Sequence, residues 1–291
     1  MITYANEHTA PQICQMWKTV FGDSDAYIDL YFREKYKNEQ TLLYEENGKV
    51  VASLQMLPYQ FTFCQMEIPI AYISGAGTLP EARKKGYMQQ LLIRSFDEMA
   101  KNRVSLSILV PQENWLLYFY EKYGYAQTFD EGSSQQVDLR TLLELNNGDE
   151  KAAFRKFDAL FRSKDMTVQK TFNDFRVIVE EAQLFNFPPK TNLNGMARII
   201  NAETLLSIFA KKYNHLRFSV QLFDPIIEIN NATFTIDKGN VEKNALLLEP
   251  VIEIEIRKLT QLLFGYHTSK EKTPLRCLFP EKVPQMNFML E

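Results

Sequence analysis

Apolar positions near the start of the chain repeat at helical spacing. Ile13, Trp17, Val20 and Phe21 form one stripe, and Tyr27, Leu30, Tyr31 and Phe32 a second. Gly22-Asp23-Ser24 separates them, with Asp23 or Ser24 as a candidate cap for the second helix. Strand-like runs follow at 41–45 and 50–57 around the turn Glu46-Asn47-Gly48-Lys49, and continue at 59–63 and 68–75. Met88, Leu91, Leu92, Phe96 and Met99 then mark the buried face of a helix running to about Lys101. Val104, Leu106, Ile108 and Val110 alternate with Ser105, Ser107 and Leu109 up to Pro111, which predicts a strand. An aromatic-rich helix at 115–123 is stopped by Gly124 as a left-handed residue. Strands are expected at 125–129 and 135–139.

The pattern changes at Arg140. From 140 to 195 it is charged and helical: Phe154, Phe157, Leu160 and Phe161 mark one helix, and Phe172, Phe175, Ile178 and Val179 another. A second unit begins near Met196, with a strand at 197–200, Asn201 as an N-cap and a helix at 202–212. Leu216, Phe218, Val220 and Leu222 alternate, Asp237-Lys238-Gly239 turns a hairpin, and Ile252, Ile254 and Ile256 lead into a helix closed by Gly265. The chain therefore reads as α+β in three parts: 1–139, a helical connector at 140–195, and a small α+β module at 196–291.

Composition narrows the function classes. Hydrophobic residues make up 45% and charged residues 24% of 291, as in ordinary globular proteins. With 33 basic against 36 acidic residues the net charge is −3, which gives no general case for a nucleic-acid partner. Three widely separated cysteines (Cys14, Cys64, Cys277) build no disulfide framework. No run of about 18 apolar residues predicts a membrane span, and the first eight residues lack the pattern of a signal peptide. A cytoplasmic location is the expectation. His8, His215 and His267 are isolated and suggest no metal site.

The most informative stretch is 72–92. It reads as a strand, a short basic turn (Arg83-Lys84-Lys85-Gly86-Tyr87-Met88) and a helix start. Unpaired amides and the helix dipole at such a start favour a pyrophosphate. Neither a Gly-x-Gly-x-x-Gly nor a Gly-Lys-Ser/Thr motif competes. Pro80, Arg83 and Gly86, with two residues between each and the next, resemble the pyrophosphate motif of the GCN5-related N-acetyltransferases (GNATs). Tyr118-Phe-Tyr-Glu-Lys-Tyr-Gly-Tyr125 resembles that family's aromatic helix end. With Met196-Ala-Arg-Ile-Ile-Asn201, Phe264-Gly265, Leu278-Phe-Pro280 and the tail 285–291, the two halves are similar to the Eis-like branch. That branch joins a GNAT fold to a C-terminal module like sterol carrier protein. The resemblance covers about 1–135 and 196–291; the connector is too short for the second acetyltransferase-like domain that full-length members hold. Met88 stands where the wider superfamily prefers Gly or Ala, and a larger residue there is typical of the branch.

What the resemblance implies is acetyl transfer from acetyl-coenzyme A, as co-substrate, to a primary amine on a small molecule, a peptide or a protein lysine. Attack is expected to be direct, without a covalent enzyme intermediate or a metal. Ala76, Gly77 and Thr78 are expected to bond the pantetheine arm through their backbone, and Arg83, Lys84, Lys85, Gly86, Tyr87 and Met88 to hold the pyrophosphate. A β-bulge is the structural alternative for Gly75 and Gly77, and a solvated turn for the cations. Tyr120 matches the family tyrosine that acts as general acid toward the departing thiolate, with Tyr118 and Tyr123 structural. The base is implied to be the C-terminal α-carboxylate, here that of Glu291. Independently, Trp17, Asp25, Tyr27, Tyr31 and Phe32 are candidates for an acceptor pocket, where aromatics and a carboxylate suit an amine; helix-core packing is the commoner explanation for all but Asp25. Family members tend to form homo-oligomers, although no stripe here specifies one. A rival reading is a non-catalytic protein that senses acyl-coenzyme A and carries an apolar ligand in its second module.

Overall fold

A long antiparallel hairpin organises the chain. Its strands, β3 (Lys49–Phe63) and β4 (Met66–Thr78), follow β1 (Ile2–Tyr4), α1 (Ala10–Phe21), α2 (Asp25–Glu34) and β2 (Thr41–Glu46). The computed structural model describes residues 1–132, 137–188 and 193–290. Ser24 caps α2 by accepting the amide of Tyr27 at 3.3 Å. Asn47 and Gly48 both take positive φ, as a two-residue hairpin turn between β2 and β3 requires.

After β4 come α3 (Tyr87–Lys101), β5 (Leu106–Leu109), α4 (Trp115–Glu121), β6 (Ala126–Phe129), α5 (Leu139–Glu144), α6 (Glu150–Phe161), β7 (Thr167–Gln169), α7 (Phe172–Leu184) and β8 (Gly195–Ile199). The main sheet runs β1-β2-β3-β4-β5-β8-β6, with β7 added on β3. Two expectations change here. The strand expected at 135–139 fails at its end: Asp138 accepts the amide of Thr141 and caps α5, which begins at Leu139, while 135 and 136 lie outside the described residues. The strand expected to open the second module is instead β8, hydrogen-bonded antiparallel between β5 and β6 of the main sheet. Periodicity finds a strand but not its partners.

The smaller sheet, ordered β11-β10-β9-β12, comprises β9 (Arg217–Phe223), β10 (Ala232–Asp237), β11 (Asn240–Lys243) and β12 (Val251–Glu255). It is flanked by α8 (Ala202–Lys212) and α9 (Ile256–Leu263). The two sheets share one core. Phe264, just past α9, stacks on Phe61 of β3 (5.4 Å between centroids) and meets Phe129 of β6 edge-on (5.7 Å). Inside the smaller module Phe279 packs on Phe209 and Phe218, so protein side chains fill the sheet's inner face.

Candidate active site

Strand β4 loses one neighbour part-way along its length. It pairs with β5 in parallel from Ala71 to Ile73, opposite Ser107 to Leu109, and β5 then ends. Beyond Ile73, β4 continues to Thr78 bonded, among the described residues, only to β3. One edge of the 74–78 backbone is thus left without a strand partner at the point where the sheet opens. The β3–β4 register also slips there: Gln55 faces Ser74 but Ser53 faces Gly77, which leaves one extra residue on β4. This is a β-bulge, with Gly75 at φ +56°, and it turns the strand away from its neighbour.

The glycines of this segment answer to α1. A Cβ on Gly75 would stand 2.3 Å from the Trp17 ring, and one on Gly77 would stand 3.3 Å from Val20. Helix α1 presses on β4 so closely that only Gly75 fits, in a backbone conformation other residues avoid. Gly75→Ala is expected to lower stability by roughly 2–4 kcal/mol, from overpacking and left-handed strain together. A thermal melt within a degree or two of wild type would contradict that account.

The free edge leads directly into the basic turn. Pro80–Ala82 forms one 3-10 turn, Lys84 and Gly86 take φ of +65° and +80°, and α3 starts at Tyr87. Gly86 caps α3 without a side chain, so the first amides of the helix have no intrahelical acceptor and no side-chain cap. Arg83, Lys84, Lys85 and Gly86 are all exposed. Lys85 pairs with Glu46 at 3.3 Å, and Tyr87 donates to the same carboxylate and stacks on Tyr44 (4.2 Å). Arg83 donates to the carbonyl of Thr78 at 3.3 Å. Exposed amides and cations at one helix start suit a diphosphate.

Tyr120 lies at the end of α4, 6% exposed, in the same buried cluster as Ile73, Leu109 and Tyr87. Its ring meets Phe119 and Tyr125 edge-on (5.2 and 5.8 Å). Burial pushes its phenol up to about 12, so it stays protonated at neutral pH. The hydroxyl makes no hydrogen bond to any described residue. Tyr125 is tied instead to Ser107 at 2.7 Å, and Tyr118 is exposed.

Comparison with known proteins agrees with this geometry. Residues 1–128 match the family model of the acetyltransferase (GNAT) domain, and residues 204–273 that of the sterol carrier protein domain. The chain carries a GNAT acetyltransferase domain followed by a sterol carrier protein domain. Among curated proteins nothing matches. Solved structures share the whole fold. A GCN5-related N-acetyltransferase from Anabaena variabilis superposes with a TM-score of 0.70 at 14% identity, over 99% of this chain and 100% of that one. A GCN5-related N-acetyltransferase from Kribbella flavida gives 0.69 at 11% identity (100% and 97%), and Eis1 from Mycobacterium abscessus gives 0.65 at 12% identity (98% of both).

On the face of this GNAT sheet opposite α3, the expected acceptor residues separate. Trp17 and Tyr31 come together at 4.5 Å between centroids, with Tyr27 at 6.2 Å from Tyr31. All three are buried. Tyr31 donates to Ser74 of β4 at 2.7 Å, beside the bulge, and burial drives its phenol well above the ordinary tyrosine range. Asp25 departs from this group: it is exposed and paired with Lys18 at 2.5 Å. Trp17 instead finds Asp23, at 2.7 Å. A hollow of about 670 Å³, lined by residues such as Cys14, Phe32 and Tyr36, includes no residue of β4.

One group on this face was missed from sequence. Lys170 follows β7 and is only 5% exposed; its ammonium bonds the Met289 sulfur at 3.1 Å and lies 4.9 Å from the centre of the Tyr59 ring. Asp174 is nearby but is bonded to Lys35 and Thr171. Burial pulls the Lys170 amine down from 10.5 to about 7. Its only sequence signal was a lysine between a short apolar strand and a helix. Met286, Phe288, Met289 and Leu290 are buried beside this region, while Glu291 lies outside the described residues.

The unfolded chain holds a proton on Lys170 up to about pH 10.5 and the folded chain only up to about 7, so stability gains from this site as pH rises between those values. Lys170→Met is therefore expected to raise the melting temperature at pH 6–7, with the gain shrinking toward pH 10. A gain that is constant across that range would rule out titration of Lys170 as its source.

Proposed function

We propose that this chain moves an acetyl group from acetyl-coenzyme A to a primary amine by direct attack. The observation that carries the reading is the free edge of β4 at 74–78 running straight into an uncapped, cationic helix start. A pantetheine arm carries amides that bond an unpaired strand edge as an added strand would, and a diphosphate suits the turn that follows. Ala76, Gly77 and Thr78 would hold the arm; Arg83, Lys84, Lys85 and the amides of Gly86, Tyr87 and Met88 the diphosphate. The thioester supplies an acyl carbon already activated toward amines.

The remaining tasks fall to this chain's own side chains. Tyr120 keeps its proton at working pH and offers it to the departing sulfur. A carboxylate of Glu291 takes the proton that the neutral amine releases as it attacks, directly or through water. Trp17, Tyr27 and Tyr31 wall the acceptor side of β4, and the amine enters from that face. Packing of Phe279 inside the smaller module weighs against a sensor that carries an apolar ligand there.

The test is calorimetry with acetyl-coenzyme A, followed by thiol release against a panel of amines. Binding together with amine-dependent thiol release is expected; absence of binding would overturn the reading. Arg83→Ala should weaken binding roughly tenfold, the scale of one lost charge-assisted contact, and leave kcat within a factor of two or three.

A further inference from the structure

We propose that Asp224, in the sterol carrier segment, and Arg198, on β8, form a positioning pair that fixes the end of the helix carrying Tyr120. The second module would then control the chemistry of the first. This rests on the reading of Tyr120 as the acid.

Both side chains are 0% exposed, and they meet in a two-pronged ion pair, with Nη2 at 2.7 and 2.8 Å from the two carboxylate oxygens. The other two nitrogens of Arg198 are bonded as well. Nη1 donates to the carbonyl of Ile199 at 2.7 Å, and Nε to the carbonyl of Tyr123 at 2.9 Å. That carbonyl belongs to the turn closing α4, where Tyr120 offers its own carbonyl to the amides of Tyr123 and Tyr125. The next residue, Gly124, makes the approach possible: a Cβ there would stand 2.6 Å from Nε. Above the guanidinium lies the ring of Phe96 on α3, its centre 5.5 Å away.

Asp224 is held just as firmly. It accepts the amides of Ile226 and Ile227 at 3.1 Å and the Asn230 side chain at 2.8 Å, while Asn230 accepts the amide of Ala202 at the start of α8. A continuous chain of bonds therefore runs from α8 through Asp224 and Arg198 to the last turn of α4. Burying two charges is costly, and a fully bonded pair fixes geometry more reliably than it adds stability. The geometry fixed here is that of the turn carrying Tyr120, whose hydroxyl has no hydrogen-bonded partner among the described residues to hold it.

The test is a double-mutant cycle in the full chain, read as kcat and KM for thiol release with acetyl-coenzyme A and an accepted amine. Asp224→Asn keeps the shape and removes the charge. It is expected to lower kcat about tenfold or more, with KM for acetyl-coenzyme A little changed, because small displacements of a reacting group are costly. In a Tyr120→Phe background the same change should cost less than about twofold, since nothing remains to be positioned. An equal fold-loss in both backgrounds overturns the positioning role and leaves the acid role standing. If Tyr120→Phe itself leaves kcat unchanged, the acid reading fails and the proposal with it. Should Asp224→Asn not fold, Asn230→Ala, which loosens Asp224 and spares the ion pair, goes through the same cycle with an expected loss of about threefold.

Discussion

Tyr120→Phe is expected to lower kcat for amine-dependent thiol release by roughly 10²–10³-fold, within the range seen when a general acid is removed. Acetyl-coenzyme A binding should shift by less than about twofold. The substitution removes one oxygen and keeps the ring that packs against Phe119 and Tyr125, so the fold is not at stake. The magnitude follows from the proton. A phenol near 12 gives its proton to a solvated thiolate, whose thiol sits near ~8.5, only at a cost of about 5 kcal/mol. On the proposed reading, a thiolate expelled beside β4 and shielded from water would have a raised proton affinity, which would narrow that gap. A pH profile adds a second check. Because the folded-state value is raised, the protonated acid persists through pH 10, where half of a solvated tyrosine would be ionised, and kcat should hold there without an alkaline limb from this residue. Equal losses in kcat and in binding would argue against the acid role.

The parts of the molecule that depend on local pattern were readable in the sequence. Asn47-Gly48 fixed a hairpin, Ser24 a cap, and Gly86 with the three cations a helix start open to an anion. Each of these rests on neighbours within a few residues. What depends on distant partners was not readable. The strand at Gly195–Ile199 has the same alternation wherever it pairs, and nothing local says that it enters the main sheet between β5 and β6. For Gly75 and Gly77 the β-bulge alternative is present, and the side chains that come close to them, Trp17 and Val20, belong to a helix more than 50 residues earlier, which no local pattern reveals. Arg198 stood in plain view inside an apolar run, but its meaning needs Asp224 and Tyr123, far apart in sequence and joined only by the fold. A charged residue in the middle of a buried-looking strand is the one signal that would have pointed to it, because such a charge must be paired.

Removing the tail from Met286 onward is expected to abolish stable folding, whereas removing Glu291 alone should spare the fold and strike only activity. Met286, Phe288, Met289 and Leu290 are each no more than 4% exposed. At about 1.5–3 kcal/mol per buried apolar side chain, their loss totals roughly 6–12 kcal/mol. That is comparable to the entire net stability of a typical protein, about 5–15 kcal/mol. The deleted segment is also tied by its backbone: Leu193 donates to the Met286 carbonyl at 3.2 Å. Phe288 wedges between Phe157 and Phe161 of α6, so the connector loses part of its core as well. The expected outcome for the longer deletion is insoluble or molten protein, seen as a lost cooperative melt. For Glu291 the contributions separate. A chain ending at Leu290 keeps all four apolar side chains and should melt within about two degrees of wild type. If a carboxylate of Glu291 is the base, thiol release should fall by roughly 10²-fold or more at neutral pH and recover in part as pH rises and the free amine becomes abundant. A shortened enzyme with unchanged rate and pH profile would assign the proton to another acceptor, and the buried amine of Lys170, near 7, is the next group to substitute.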